Sequence, residues 1–324
     1  MKKESVDDFF IRPQTLTDFV GQERVKSNLQ IYIQAACSRG EPLDHVLLFG
    51  PPGLGKTTLA NIIAHEMNTT LRYLSGPTFT RGGDLASVFS TLSPGEVVFI
   101  DEIHRLPPPC EEILYGVMED FALHLVVGKG PGARSIRIQL PPFTLVGATT
   151  RVSLLSSPLR NRFGIVEKLD FYQEEEIAKI VERAAKVMDM KIDSPGAQEI
   201  ARRSRGTPRI ANRLLRRVRD FAQFFDKEII NEEVVKKAFT YLGIDEVGLT
   251  DFDRKFLEVL VKHYQGGPVG IENIASILGE DPATVEEVYE PFLLKLGFIA
   301  RTKRGRVITT RGRQYLQKVR EVGE

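Results

Sequence analysis

The chain is expected to be an α/β protein: a parallel sheet carrying a nucleotide-phosphate site, then a small all-helical domain, then a C-terminal winged helix. Three observations predict this. Short β-rich apolar runs alternate with helical patterns through the first half, as in parallel-sheet proteins. A complete glycine-rich phosphate loop joins one such run to one such helix. Strand signals fade after Gln173 and return only as a strand–turn–strand near the C terminus.

Taken in order, HVLLF (45–49), VVFID (97–101) and FTLVGATT (143–150) read as buried parallel strands, because they are continuously apolar rather than alternating. TTLANIIAHEM (57–67) places Leu59, Ile62, Ile63 and Met67 at helical spacing. EEEIAKIVERAAKVM (174–188) and PRIANRLLRRVRDFAQFF (208–225) are helical, the second with Pro208 at its first position. LGIDEVGLTD (242–251) reads as a linker, and three short helical patterns precede GFIARTKRGRVITTRGR (297–313), the strand–turn–strand. At roughly 100–200 residues per domain a chain of 324 suggests two or three domains, and the patterns place them at 1–172, 173–245 and 246–324.

Composition excludes several classes. With 42% hydrophobic and 27% charged residues, the chain is neither disordered nor fibrous. No apolar run approaches the roughly 20 residues of a membrane span. The start, MKKESVDDFF, lacks the apolar core of a secretion signal. Cys37 and Cys110 are the only cysteines and neither lies in a CxxC, which predicts a reducing, cytoplasmic setting without a zinc site. Forty-four Lys and Arg against 43 Asp and Glu leave +1 overall.

Gly50-Pro51-Pro52-Gly53-Leu54-Gly55-Lys56-Thr57 follows a strand and opens a helix, the context in which such a loop cradles phosphates. Gly53 and Gly55 let backbone N–H groups close on the phosphates, and the helix N-terminus, including Thr58, adds the positive end of its dipole. Lys56 is expected to pair with the β- and γ-phosphates of ATP, and the Thr57 hydroxyl to ligate Mg²⁺. In VVFIDEIHRL (97–106) four apolar residues end in Asp101 and Glu102 at the carboxyl edge of a strand, where open α/β sheets bind ligands. Asp101 is expected to hold Mg²⁺ and Glu102 to polarise the attacking water. His104 reads as a loop histidine without a catalytic part. GATTR (147–151) ends the next strand, where Thr149 or Thr150 can sense the γ-phosphate or orient the water.

FVGQE (19–23), GPPGLGKT (50–57), FIDEIHRL (99–106), GATTR (147–151), LRNRFG (159–164) and GTPRIANRLLRRVRD (206–220) stand in the order found in AAA+ ATPases. Over essentially the whole chain the match closely resembles the RuvB family, bacterial ring motors that drive branch migration of Holliday junctions in recombination and repair. The resemblance implies an AAA+ P-loop domain, a lid, a winged-helix domain, ATP with Mg²⁺, and a hexameric ring on double-stranded DNA. It implies Thr150 as the sensor hydroxyl, with Thr149 the alternative, and Arg162 as an arginine finger reaching a neighbour's γ-phosphate. Arg160, two residues away, stays open as the alternative. Arg209 resembles the lid arginine that contacts nucleotide. Ile11, Arg12 and Tyr172 resemble adenine-pocket residues. Glu119, Asp120 and Phe121 resemble residues near a neighbour's nucleotide.

FALHLVVGKGPGARSIRIQLPPF (121–143) has two alternating stretches around a Gly- and Pro-rich turn, a hairpin with Leu123, Leu125, Ile136 and Ile138 as its apolar weight. The resemblance implies that it docks on RuvA, the junction-binding partner, and exposed apolar patches do mark interfaces. Residues 295–320 carry nine basic side chains (Lys295, Arg301, Lys303, Arg304, Arg306, Arg311, Arg313, Lys318, Arg320) and no acid, whereas 246–294 carry three bases against ten acids. This polarised wing predicts phosphate-backbone contact with duplex DNA, independent of sequence. Arg301 and Arg306, flanking its tip, are the expected contacts.

Two other functions compete. A helicase of two similar α/β halves fits the DEIH string, but residues 173–324 show no second parallel-sheet pattern. A clamp-loader subunit or transcription-regulatory module would use ATP as a switch, and steady ATP turnover on long duplex DNA separates it from a motor.

Overall fold

Parallel strands buried on both faces need helices on both sides, and the first half of the chain supplies them in alternation. The structure, a computed structural model, describes residues 11–127 and 134–323. It divides into two units, one ending at Asp170 and the other beginning at Phe171.

In the first unit the order is α1 (Glu23–Arg39), β1 (Val46–Phe49), α2 (Lys56–Glu66), β2 (Leu71–Ser75), α3 (Gly82–Phe89), β3 (Val97–Asp101) and α4 (Pro108–Asp120). There follow β4 (Ala122–Val127), β5 (Arg134–Gln139), β6 (Thr144–Thr149), α5 (Ser157–Arg160) and β7 (Ile165–Lys168). Five strands form one parallel sheet in the order β2-β3-β6-β1-β7. β6 and all but the last residue of β1 and β3 are buried, as their unbroken apolar runs predict. The edge strands β2 and β7 alternate or carry charge, so periodicity marks them only weakly.

On one side of the sheet, Leu47, Val98, Ile100 and Leu145 pack with Phe89, Leu114, Val117, Phe143 and Phe163. Fully burying each such side chain is worth about 1.5–3 kcal/mol. His45, just before β1, accepts from the Leu145 N–H through Nδ1 (2.9 Å), and its Nε2 lies 3.2 Å from the Met118 carbonyl oxygen. Burial lowers its pKa, so the imidazole is the neutral strut that fastens α4 to β6.

The second unit contains α6 (Glu174–Val187), β8 (Lys191–Ile192), α7 (Ser194–Arg203), α8 (Pro208–Phe224), β9 (Ile229–Ile230) and α9 (Glu232–Tyr241). It continues with α10 (Asp251–Lys262), α11 (Ile271–Leu278), α12 (Pro282–Thr284), a π-helical turn (Val285–Tyr289) and α13 (Glu290–Lys295). β10 (Ile299–Thr302), β11 (Gly305–Ile308) and α14 (Thr310–Gly323) complete it. The expected all-helical segment also holds a two-residue parallel pair, β8 with β9. The winged helix has its own core around Phe256, Leu257, Ile274, Leu293, Phe298 and Ile308.

The stretch expected as a linker, 242–251, is anchored by a hub of polar contacts. Asp245 accepts from the Val247 and Leu249 amides through Oδ1, and from Arg254 and Tyr315 through Oδ2, while its carbonyl accepts from Arg203 Nε. Arg205 forks onto the fully buried Asp253, which also caps α10 with Thr250. These partners lie as much as 70 residues apart, and only tertiary packing joins them.

Candidate functional site

In an all-parallel sheet the carboxyl ends of all strands share one edge, and loops there converge. β1 delivers the phosphate loop, β3 delivers Asp101, and β6, lying between them in the sheet, delivers Thr149 and Thr150.

The phosphate loop is shaped by its glycines. Gly50 has φ 143°, and a Cβ there would stand 2.3 Å from the Leu169 carbonyl oxygen. Glycine is therefore required on both conformational and steric grounds. Gly55, also at positive φ, caps α2 without a side chain, which leaves the first-turn amides open to a phosphate. Lys56 is buried, and its ammonium donates to the Gly50 and Pro51 carbonyls at 2.8 and 2.9 Å. The cation thus rests inside the loop. Thr57 and Thr58, both half-buried, continue the first turn.

Asp101 is oriented by two donors, the Tyr73 hydroxyl (3.1 Å, to Oδ2) and the Glu102 amide (3.0 Å, to Oδ1). Glu102 takes φ 50° and ψ 43°, a left-handed conformation that costs a non-glycine residue on the order of 1–3 kcal/mol and clusters at functional sites. Gly76 permits it by close approach, since a Cβ at 76 would lie 2.4 Å from the Glu102 carbonyl oxygen. The Glu102 carboxylate pairs with Arg105 at 3.0 Å and is half-exposed, so it is available to the reaction edge. Thr57 and Asp101 together present oxygen donors only, the set that suits Mg²⁺.

His104 is more than a loop histidine. Its Nδ1 lies 2.9 Å from Thr149 Oγ1, which also accepts from the Arg151 amide, and Thr149 is buried. Thr149 is thereby tied into the turn after β3, whereas Thr150, next along, is half-buried. Motif reading missed His104 and Tyr73 as supports. Only the unusual histidine within DEIH could have hinted at the first.

Arg162 donates to Glu119 Oε2 (2.7 Å) and the Pro158 carbonyl (2.9 Å) and stacks over the Tyr115 ring, while Arg160, at the end of α5, is exposed. Glu119 thus meets Arg162 of its own chain; Asp120 is exposed and Phe121 packs on the core. Ile11 is buried and Arg12 half-buried in the first unit. Tyr172 and Arg209 belong to the second, where the Tyr172 amide donates to the Gly206 carbonyl (3.0 Å) and Arg209 is exposed on the first turn of α8.

The hairpin of β4 and β5 pairs Leu123 with Ile138 and Leu125 with Ile136, so all four share one face. Its Gly- and Pro-rich turn lies at 128–133, outside the described residues. Leu123 is a correction to the docking set: at the root of the ribbon it is buried in the core, and Leu125 is half-covered. Ile136 and Ile138 are 44% and 37% exposed and remain available.

The wing also departs from expectation. Arg301 and Arg306 are cross-strand neighbours, and both fork onto Glu290, which is fully buried. Glu286 receives a further contact from each. Burial would raise the Glu290 pKa, but hydrogen bonds from the two guanidiniums hold it below its ordinary value. Arg306 is 14% exposed and Arg301 50%, so both brace the wing against α13 and Arg306 has little left to offer a phosphate. Lys303 and Arg304 form the two-residue turn between β10 and β11, both exposed. Lys295 lies over the Phe171 ring and Arg313 donates to the Gln265 carbonyl.

Among the described residues no helix is long and apolar enough to cross a membrane. Three family models match in tandem: the Holliday junction DNA helicase RuvB P-loop domain over 11–169, the RuvB AAA lid domain over 172–245, and the RuvB C-terminal winged helix domain over 246–317. Among solved structures the chain is similar to Thermotoga maritima RuvB, described as a Holliday junction branch migration motor. Identity is 50%, the TM-score is 0.88, and the match covers 95% of this chain and 98% of that one. The same figures hold for a lysine-to-arginine variant and an arginine-to-alanine variant of that protein.

Proposed function

The chain belongs to the RuvB family, whose P-loop domain is that of an ATPase, and from that premise we propose an ATP-driven ring motor, a hexamer, that translocates double-stranded DNA to drive Holliday junction branch migration. The observation that carries the reading is the pairing of a complete phosphate loop with Asp101 and strained Glu102 on the edge of one sheet, in a chain that ends in a winged helix. ATP binds on the loop amides and Lys56. Thr57 and Asp101 would hold Mg²⁺, which would supply charge neutralisation at the phosphates. Glu102 accepts the proton of the attacking water, Thr150 orients that water, and Arg162 enters from the neighbouring subunit. Ile11, Arg12 and Tyr172 bind the base, and Arg209 couples the lid to the nucleotide. The setting is the cytoplasm.

DNA contact is assigned to Lys303 and Arg304, with Arg301 in support, because the tip cations are exposed while Arg306 is committed to Glu290. Long duplex DNA should stimulate steady ATP turnover; a binding module that uses ATP as a switch would show no such stimulation. Each neutralised phosphate contact contributes a slope of about −0.9 in log K against log salt. Lys303→Ala and Arg304→Ala should each flatten that slope by roughly 0.9, equally for different DNA sequences, with DNA-free turnover preserved. An unchanged slope in the double variant would move the DNA surface elsewhere.

The hairpin face is assigned to RuvA. Ile136→Asp should weaken partner-stimulated turnover at least tenfold, as a charge buried in an apolar contact costs more than 1.4 kcal/mol. Basal ATPase and thermal stability should persist, because Ile136 is exposed. Unaltered stimulation by the partner would exclude this face.

A further inference from the structure

Arginine-finger chemistry demands that a flexible side chain be aimed before its target arrives, because an unaimed guanidinium loses rotamer freedom on every encounter. Arg162 follows α5, a helix of one turn that would aim nothing by itself. What surrounds it comes from α4. Glu111, Tyr115 and Glu119 stand four residues apart along that helix and so line one face. The Arg162 guanidinium lies over the Tyr115 ring, 4.7 Å from Cζ to the ring centre. Nη2 donates to Glu119 Oε2 at 2.7 Å and Nη1 to the Pro158 carbonyl at 2.9 Å.

The ring is itself fixed. The Tyr115 hydroxyl lies 3.0 Å from Ser156 Oγ, which donates to Glu111 Oε2 at 2.7 Å. Ser156 also caps α5, accepting from the Leu159 amide. One polar chain, Glu111–Ser156–Tyr115, therefore locks the start of α5 and the platform beneath the arginine together.

We propose that this cradle is a rest for the finger: Tyr115 and Glu119 are positioning residues that hold Arg162 aimed outward, and the Glu119 carboxylate is exchanged for the neighbour's γ-phosphate. The proposal rests on the trans reading of Arg162 above. The guanidinium fork that grips a carboxylate grips a phosphate by the same two donors. Glu119 is 62% exposed, so its pairing is solvent-screened and readily given up. The Tyr115 face holds the cation without a competing full charge, so it can stay in contact while the carboxylate leaves. Arg160 is exposed and lies over no aromatic ring among the described residues, which favours Arg162 of the two.

The experiment measures ATP turnover in pure and mixed assemblies, with assembly checked by sedimentation. Tyr115→Ala alone should lower kcat roughly 10²-fold with KM little changed, the effect of misplacing a catalytic group by about 1 Å. Tyr115→Phe, which keeps the ring, should restore most of it. Mixed with Lys56→Ala subunits, whose finger is intact, Tyr115→Ala should recover turnover; mixed with Arg162→Ala subunits it should not. Recovery with Arg162→Ala, no recovery with Lys56→Ala, or a wild-type kcat for Tyr115→Ala would each overturn the cradle. The control mixture of Lys56→Ala with Arg162→Ala tests the trans reading separately: if that pair does not recover, the premise fails rather than the cradle.

Discussion

Replacing Arg162 with alanine is expected to slow ATP turnover of the assembled protein by roughly 10³–10⁵-fold while nucleotide binding survives, because an arginine finger stabilises charge that develops only on the transferring phosphoryl group. Within its own chain the guanidinium is engaged by Tyr115, Pro158 and Glu119, and none of these is a nucleotide-binding residue of the phosphate loop. Removing a side chain that is 27% exposed leaves no large cavity, so the fold should hold. The measurement is steady-state turnover beside equilibrium binding of a fluorescent ATP analogue. Loss of binding in parallel with turnover would show that Arg162 serves its own site, and full activity would pass the role to Arg160.

The second large effect belongs to Glu102. Glu102→Gln should retain ATP unhydrolysed, with turnover reduced by roughly 10²–10⁴-fold, the usual range for losing a general base. Glutamine has nearly the same shape, so it preserves the left-handed backbone at 102 and the close approach of Gly76. What it loses is the carboxylate charge, which pairs with Arg105 and is the group proposed to take the water's proton. Lys56→Ala is the contrasting variant: it removes the cation seated against the Gly50 and Pro51 carbonyls and should weaken binding as well as turnover. Normal hydrolysis by Glu102→Gln would assign water activation to another group.

The reaction site was legible because its chemistry is local in sequence. A strand, a glycine loop and the first turn of a helix follow one another without a break from Val46 to Leu59, and the acids that complement them end the apolar run of β3. No long-range information is needed to recognise a loop that only glycines can form. The winged helix was legible as a strand–turn–strand for the same reason, since β10 and β11 are neighbours joined by two residues.

The sequence alone determined the phosphate loop, the acids beside it, the parallel α/β class and the polarity of the C-terminal domain, all of which depend on contiguous residues or on periodicity. Tertiary structure alone decided which charges are free. Arg301 and Arg306 look like wing-tip cations until Glu290, from a helix before the wing, buries its carboxylate between them. Leu123 looks like part of a docking face until α4 and the sheet cover it. His104 looks idle until Thr149, 45 residues on, comes within 2.9 Å. Arg162 is indistinguishable from Arg160 until α4 places an aromatic ring beneath one and not the other. The physical reason is common to all four: a side chain's residue type states what it can bind, but its availability depends on partners that only the packed chain brings near.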